Sequence, residues 1–235
     1  MSYVLWLKSG SDGSRMAGDP SAHHIFMTIL MKSQADPSLK FDVMTINETR
    51  PPAEFKNAGL RHTPALSTPD EEGFFQIDDI VQELDKFGPK FPTNEAAENA
   101  TADVFRQFAF FIKDVNKDPR AFLGELKRIN DHLETDQTTF LTGASPTYLD
   151  CLMLPRLHSI RVAALALKDL EIPSDLTYLW KYLENGYELE IFKTSCPSDQ
   201  EIILHWAEKP GVTVSASKKS KLGREQSTFS YEVPK

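Results

Sequence analysis

Residues 2–8 form a short apolar run that ends at a polar, glycine-bearing loop, the pattern of a buried strand. The loop, residues 9–18, holds Gly10, Gly13 and Gly18, and a helix over 19–33 follows from Asp19-Pro20. Asp19 suits the N-cap, because its carboxylate accepts free amide hydrogens of the first turn. Pro20 suits the first helical position. Residues 40–47 are rich in β-formers, and 63–67 and 73–77 read as two short strands. Asp78 then suits the cap of a helix carrying Ile80, Val81, Leu84 and Phe87 at helical spacing. The order β-α-β followed by β-β-α predicts a thioredoxin-like domain over 1–88. In that setting Pro64, at the head of a strand beside the first helix, is expected in the cis form, which turns the backbone of Thr63 toward a peptide-like ligand.

Gly88-Pro89-Lys90-Phe91-Pro92 breaks the pattern, and residues 89–96 read as a linker. From there to about 210 the spacing is helical throughout. A helix over 97–115 carries Val104, Phe105, Phe108, Phe111 and Ile112, and others are predicted over 120–133, 147–167, 176–187 and 199–207. Thr147 and Asp150 stand at capping-box spacing. The helix after them is apolar on most faces and is expected to run through the core, so the pair reads as structural capping. The predicted fold class is α/β plus all-α, the second domain spanning 97–210. Residues 211–235 carry serines, lysines and few large apolar groups, and are expected to be a flexible basic tail.

Charge and composition narrow the function. The chain carries −8 overall, but the last 25 residues hold five basic and two acidic side chains, leaving −11 on the body. Such a body is a poor partner for nucleic acid. Cys151 and Cys196 stand alone in the sequence, no His/Cys cluster has metal-ligand spacing, and no cofactor motif is present. No stretch approaches the roughly 18 to 20 apolar residues of a spanning helix, and the start has no secretory pattern. A soluble, cytoplasmic protein in a reducing compartment is expected.

The strand–loop–helix corner is the candidate site. Proteins that use thiol or glutathione chemistry place a thiol or hydroxyl there, where helix amides and the dipole favour a thiolate. Asp19 stands in its place, and its carboxylate takes those amides and repels an anionic sulfur. Tyr3 and Ser9 are the nearby hydroxyls. His23 and His24, in the first turn, are either solvent-facing rings or a pH sensor, since protonation near pH 6 opposes the helix dipole.

Four stretches, Lys8-Ser9-Gly10-Ser11-Asp12-Gly13, the run from Asp150 through Cys151, Pro155 and His158, Ile172-Pro173, and Thr194-Ser195-Cys196-Pro197-Ser198-Asp199, resemble the chloride intracellular channel family of the invertebrate, nematode kind. The resemblance implies a glutathione-transferase-like fold and a soluble monomer that also associates with intracellular membranes and supports chloride transport. It aligns Asp19 with the reactive cysteine of vertebrate members. It also implies a glutathione-like subsite of Asp19, Thr63, Pro64 and Gln76, in which Ile77 stands where a hydroxyl residue is usual. The segment implied to insert, residues 20–47, contains His23, His24, Lys32, Asp36, Lys40 and Asp42. Each unpaired charge would cost about 2.5 to 3.5 kcal/mol at the bilayer centre. An inactive glutathione-transferase-fold scaffold and a glutathione-dependent enzyme are the alternatives.

Overall fold

The structure, a computed structural model, describes residues 2–234. Met1 and Lys235, which end the first and last sequence-based segments, lie outside the described residues. In chain order the elements are β1 (Tyr3–Lys8), α1 (Pro20–Ala35), β2 (Phe41–Ile46), α2 (Ala53–Asn57), β3 (Ala65–Ser67), β4 (Gly73–Phe74) and α3 (Ile77–Leu84). The helical part follows as α4 (Glu95–Thr101), α5 (Val104–Ile112), α6 (Arg120–Asp136), α7 (Tyr148–Lys168), α8 (Thr177–Glu188), α9 (Glu190–Ser195), α10 (Asp199–Ala207) and α11 (Ala216–Leu222).

The sheet order is β2-β1-β3-β4, with β1 parallel to β2 and antiparallel to β3. Because β1 is central, both its faces are covered, which is why its sequence is a continuous apolar run. Leu5 and Leu7 point to one face and meet Ala22, Ile25 and Ile29 of α1 with Ile80 and Leu84 of α3. Trp6 points to the other face and packs on Phe55 of α2. The opposite side of α1 supplies Met27 to the helical core, and α7 packs along it. As a result α1 is buried on nearly every side.

Several boundaries differ from the sequence expectation. The Asp78 carboxylate lies in the first turn of α3, whose N-cap is Gln76. The predicted helix over 97–115 is two helices, interrupted at Ala102 and Asp103. Neither α2 nor α9 was expected, each being too short for a periodic pattern to register. The Thr147–Asp150 box is present. One Asp150 oxygen accepts the Thr147 amide at 2.8 Å, while the other accepts the Leu141 amide and the Tyr182 hydroxyl at 3.0 Å each. Burial nevertheless pushes the Asp150 carboxyl above its ordinary range, against the pull of these donors.

The largest correction concerns the tail. Residues 211–234 are tied to the body at particular points, although Leu222 alone among them is buried. They form α11 and then an extended strap along the helical domain. Asp199 accepts the hydroxyls of Ser230 and Thr228 at 2.7 and 3.1 Å, and its own amide donates to the Thr228 carbonyl at 2.9 Å. Arg161 donates to the carbonyls of Ser230 and Glu232, both at 2.6 Å. Tyr231 lies against Tyr187, Phe192 and His158. Backbone carbonyls and hydroxyls anchor the strap, and a composition poor in large apolar groups hides them. Arg161→Ala is expected to cost about 2 kcal/mol, since it removes charge-assisted hydrogen bonds from a half-buried site. Hydrogen exchange of the amides over residues 224–234 should then speed up; unchanged exchange would contradict the strap.

Candidate functional site

The corner between β1 and α1 is built from the bottom up by small residues. Gly13 takes a positive φ of 75°, and Asp12 accepts the amides of Ser14 and Arg15 at 2.8 Å each, which folds the loop back on itself. The loop ends at Gly18, where a Cβ would lie 2.2 Å from the Glu201 carbonyl oxygen, so only glycine lets α10 seat against it. Asp19 then caps α1 by accepting the Ser21 amide at 2.8 Å, with Pro20 next in line. The Thr63-Pro64 peptide is cis, as its place before β3 suggested.

A cavity of about 420 Å³ opens at this corner. Asp19, Thr63 and Pro64 line it together, from two segments. Gln76 does not; it is exposed at the start of α3, and its side chain makes no cap hydrogen bond. Of the four residues expected to share a subsite, three therefore line this cavity. Ser9 lines the cavity, whereas the Tyr3 hydroxyl donates to Glu83 at 3.0 Å elsewhere and is pushed up to about 12 by burial and that carboxylate.

Sequence reasoning missed the residues that complete the site. Glu48 accepts both the amide and the hydroxyl of Thr63, at 2.8 and 2.7 Å. Glu201 reaches across from α10 and accepts the Ser11 amide at 2.8 Å together with the Ser11 hydroxyl. Ser198 and Glu201 stand at capping-box spacing in the sequence, and Ser198 does accept the Glu201 amide at 3.4 Å. Glu201 breaks the box by turning to the corner loop. No local pattern marks Glu48. Lys8, His205 and Lys209 also border the cavity. Burial holds His205 down at about 4, with the Asp19 carboxylate opposing and Lys209 and Lys8 assisting.

The remaining sequence candidates lie elsewhere. Cys151 is fully buried with its Sγ 3.6 Å from the Met31 sulfur, and burial pushes its thiol far up. Cys196 is pushed up to about 12 for the same reason. Both are resting thiols, not thiolates. His23 and His24 do not face solvent, and neither ring is protonated near pH 6 while the chain stays folded. They are 1% and 2% exposed, packed on Phe192 and Tyr148, and burial holds each down at about 3. The apolar first turn of α1 runs against the helical domain, which the sequence of α1 alone does not reveal. Among the described residues no group of acidic, His or Cys side chains is arranged to hold a metal ion.

A cis proline beside the N-terminus of the first helix, with an all-helical part closing over it, defines a glutathione-transferase-like fold. Solved structures agree. The CLIC homologue EXC-4 from Caenorhabditis elegans matches with a TM-score of 0.86 at 23% identity, covering 99% of this chain and 89% of that one. The dehydroascorbate reductase of Chlamydomonas reinhardtii matches at 0.73 with 22% identity over 88% of this chain and 97% of its own. The trimeric glutathione transferase TDR1 of Leishmania matches at 0.70 with 14% identity, over 94% and 51% respectively. No protein-family model matches the chain. Over 236 residues, 98% of this chain and 99% of the relative, it is 48% identical to chloride intracellular channel exl-1 of Caenorhabditis elegans. The chain belongs to the chloride intracellular channel family.

Proposed function

We propose that this protein works as a chloride intracellular channel-like protein: a cytoplasmic, monomeric globule that associates with intracellular membranes and there supports chloride transport. Its 48% identity across nearly the whole of chloride intracellular channel exl-1 carries the reading. The corner supports the non-enzymatic half of it. An acid, Asp19, caps α1 at the corner, and neither of the two buried cysteines lines the cavity.

No helix among the described residues is long and apolar enough to cross a membrane. Membrane association therefore draws on a rearranged or interfacial state, in which α1 leaves α7 and exposes Met27, Leu30 and Met31. Flotation of the purified protein with anionic liposomes at about pH 7.4 and about pH 5.5 tests this, and the expected result is binding that is stronger at the lower pH. Absence from the floating fraction at both would favour the scaffold reading.

A further inference from the structure

Three backbone amides face the corner cavity or frame it, and each is already bonded to a carboxylate of the same chain. Asp19 takes the Ser21 amide, Glu48 the Thr63 amide and Glu201 the Ser11 amide, all at 2.8 Å. The Thr63 amide, next to the cis proline, is the donor that an extended peptide would pair with. Glu48 fills it from an exposed turn, with its hydroxyl bond to Thr63 as a second tether. Asp19, Glu48, Glu201 and Glu208 outnumber Lys8 and Lys209 around the cavity. An anionic tripeptide entering here meets both a repulsive field and donors that are spent.

We propose that Glu48 and Asp19 act as built-in stand-ins for a peptide ligand and hold this cavity closed to glutathione and similar anionic peptides. Glu48 is the movable part: its side chain is exposed and no burial holds it, whereas Glu201 is wedged against Gly10 and Gly18. The inference deepens the reading of the corner as non-catalytic and rests on it.

Calorimetric titration of reduced glutathione into the full chain is the test, with the Thr63 amide resonance followed in parallel. Wild type is expected to show no binding. Glu48→Ala should show saturable binding at least about tenfold tighter than the detection limit that wild type fails to reach, with a shifted Thr63 amide, because one charge-assisted bond no longer competes. Adding Asp19→Ser, which keeps an N-cap oxygen and removes the charge, should tighten binding further. Glu208→Gln removes a cavity charge without freeing any of these amides and should leave binding absent. Equal gains from Glu208→Gln and Glu48→Ala, no gain from Glu48→Ala, or glutathione binding by the wild type would each overturn the proposal. Turnover of an aryl halide by the wild type would sink the non-enzymatic reading, and is measured separately from binding.

Discussion

Acidification from neutral pH to about pH 5 is expected to remove about 4 kcal/mol of folding stability through His23 and His24 alone. In the unfolded chain each imidazole titrates near 6.5, while burial holds the folded pKa of each at about 3. Both states are neutral above about pH 6.5, so no penalty exists there. Between about 6.5 and 3 the unfolded chain binds more protons than the folded one, and stability falls with falling pH by up to about 1.4 kcal/mol per unit per histidine. At pH 5 that amounts to about 2 kcal/mol each. The neighbours rescue little: burial outweighs the backbone hydrogen bond with Phe192 that raises His23, while Arg156 and His23 lower His24 further, and the rings otherwise meet Phe192 and Tyr148. His158, in the same layer, is held well below its ordinary value by burial, with His23 and Arg161 adding to the effect. Since His23 and His24 lie between α1 and the helical domain, any state that parts the two gains protons. Urea unfolding at the two pH values checks this. Replacing both histidines by Gln should remove the share these two carry, about 4 kcal/mol at pH 5, and leave the part that the depressed His158 and His205 contribute; an unchanged slope would contradict the account.

Lys32→Met should cost about 3 kcal/mol, far more than a surface lysine. The Lys32 side chain is 2% exposed, yet its ammonium donates to Asp85 at 3.0 Å and to the carbonyls of Phe87 and Pro89 at 2.9 and 2.7 Å. It also sits 3.8 Å above the Phe91 ring. It thus ties α1 to the segment linking the two domains. Met fills the stem but strands the Phe87 and Pro89 carbonyls and takes from Asp85 its buried partner, leaving that carboxylate only the exposed Lys90 and the Phe91 amide. The comparison is Lys90→Met: Lys90 is 77% exposed and pairs with the same Asp85, so about 1 kcal/mol or less is expected. Similar urea midpoints for the two variants would refute the clamp.

Residues whose signal is local were legible. Asp19-Pro20 announced a capped helix, Thr147 and Asp150 announced the box, and the strand order placed Pro64 beside the corner. What depended on distant partners was not. Lys32 reads as the charge that ends an apolar run, and only the return of residues 85–89 turns it into a buried clamp. Glu48 and Glu201 reach the cavity from segments about 150 residues apart in sequence, and each looks locally like a surface or cap acid. The tail read as flexible because its anchors are Thr228, Ser230 and main-chain carbonyls, bonded to Asp199 and Arg161. His23 and His24 carry no mark of the α7–α9 surface that buries them.

The central claim is membrane association that supports chloride transport. Chloride efflux from liposomes loaded with the salt, with purified protein added at about pH 7.4 and about pH 5.5, tests it most directly. The account predicts protein-dependent efflux, faster at the lower pH and slowed by the His23→Gln, His24→Gln variant. Vesicles that bind the protein yet release no chloride at either pH would contradict it.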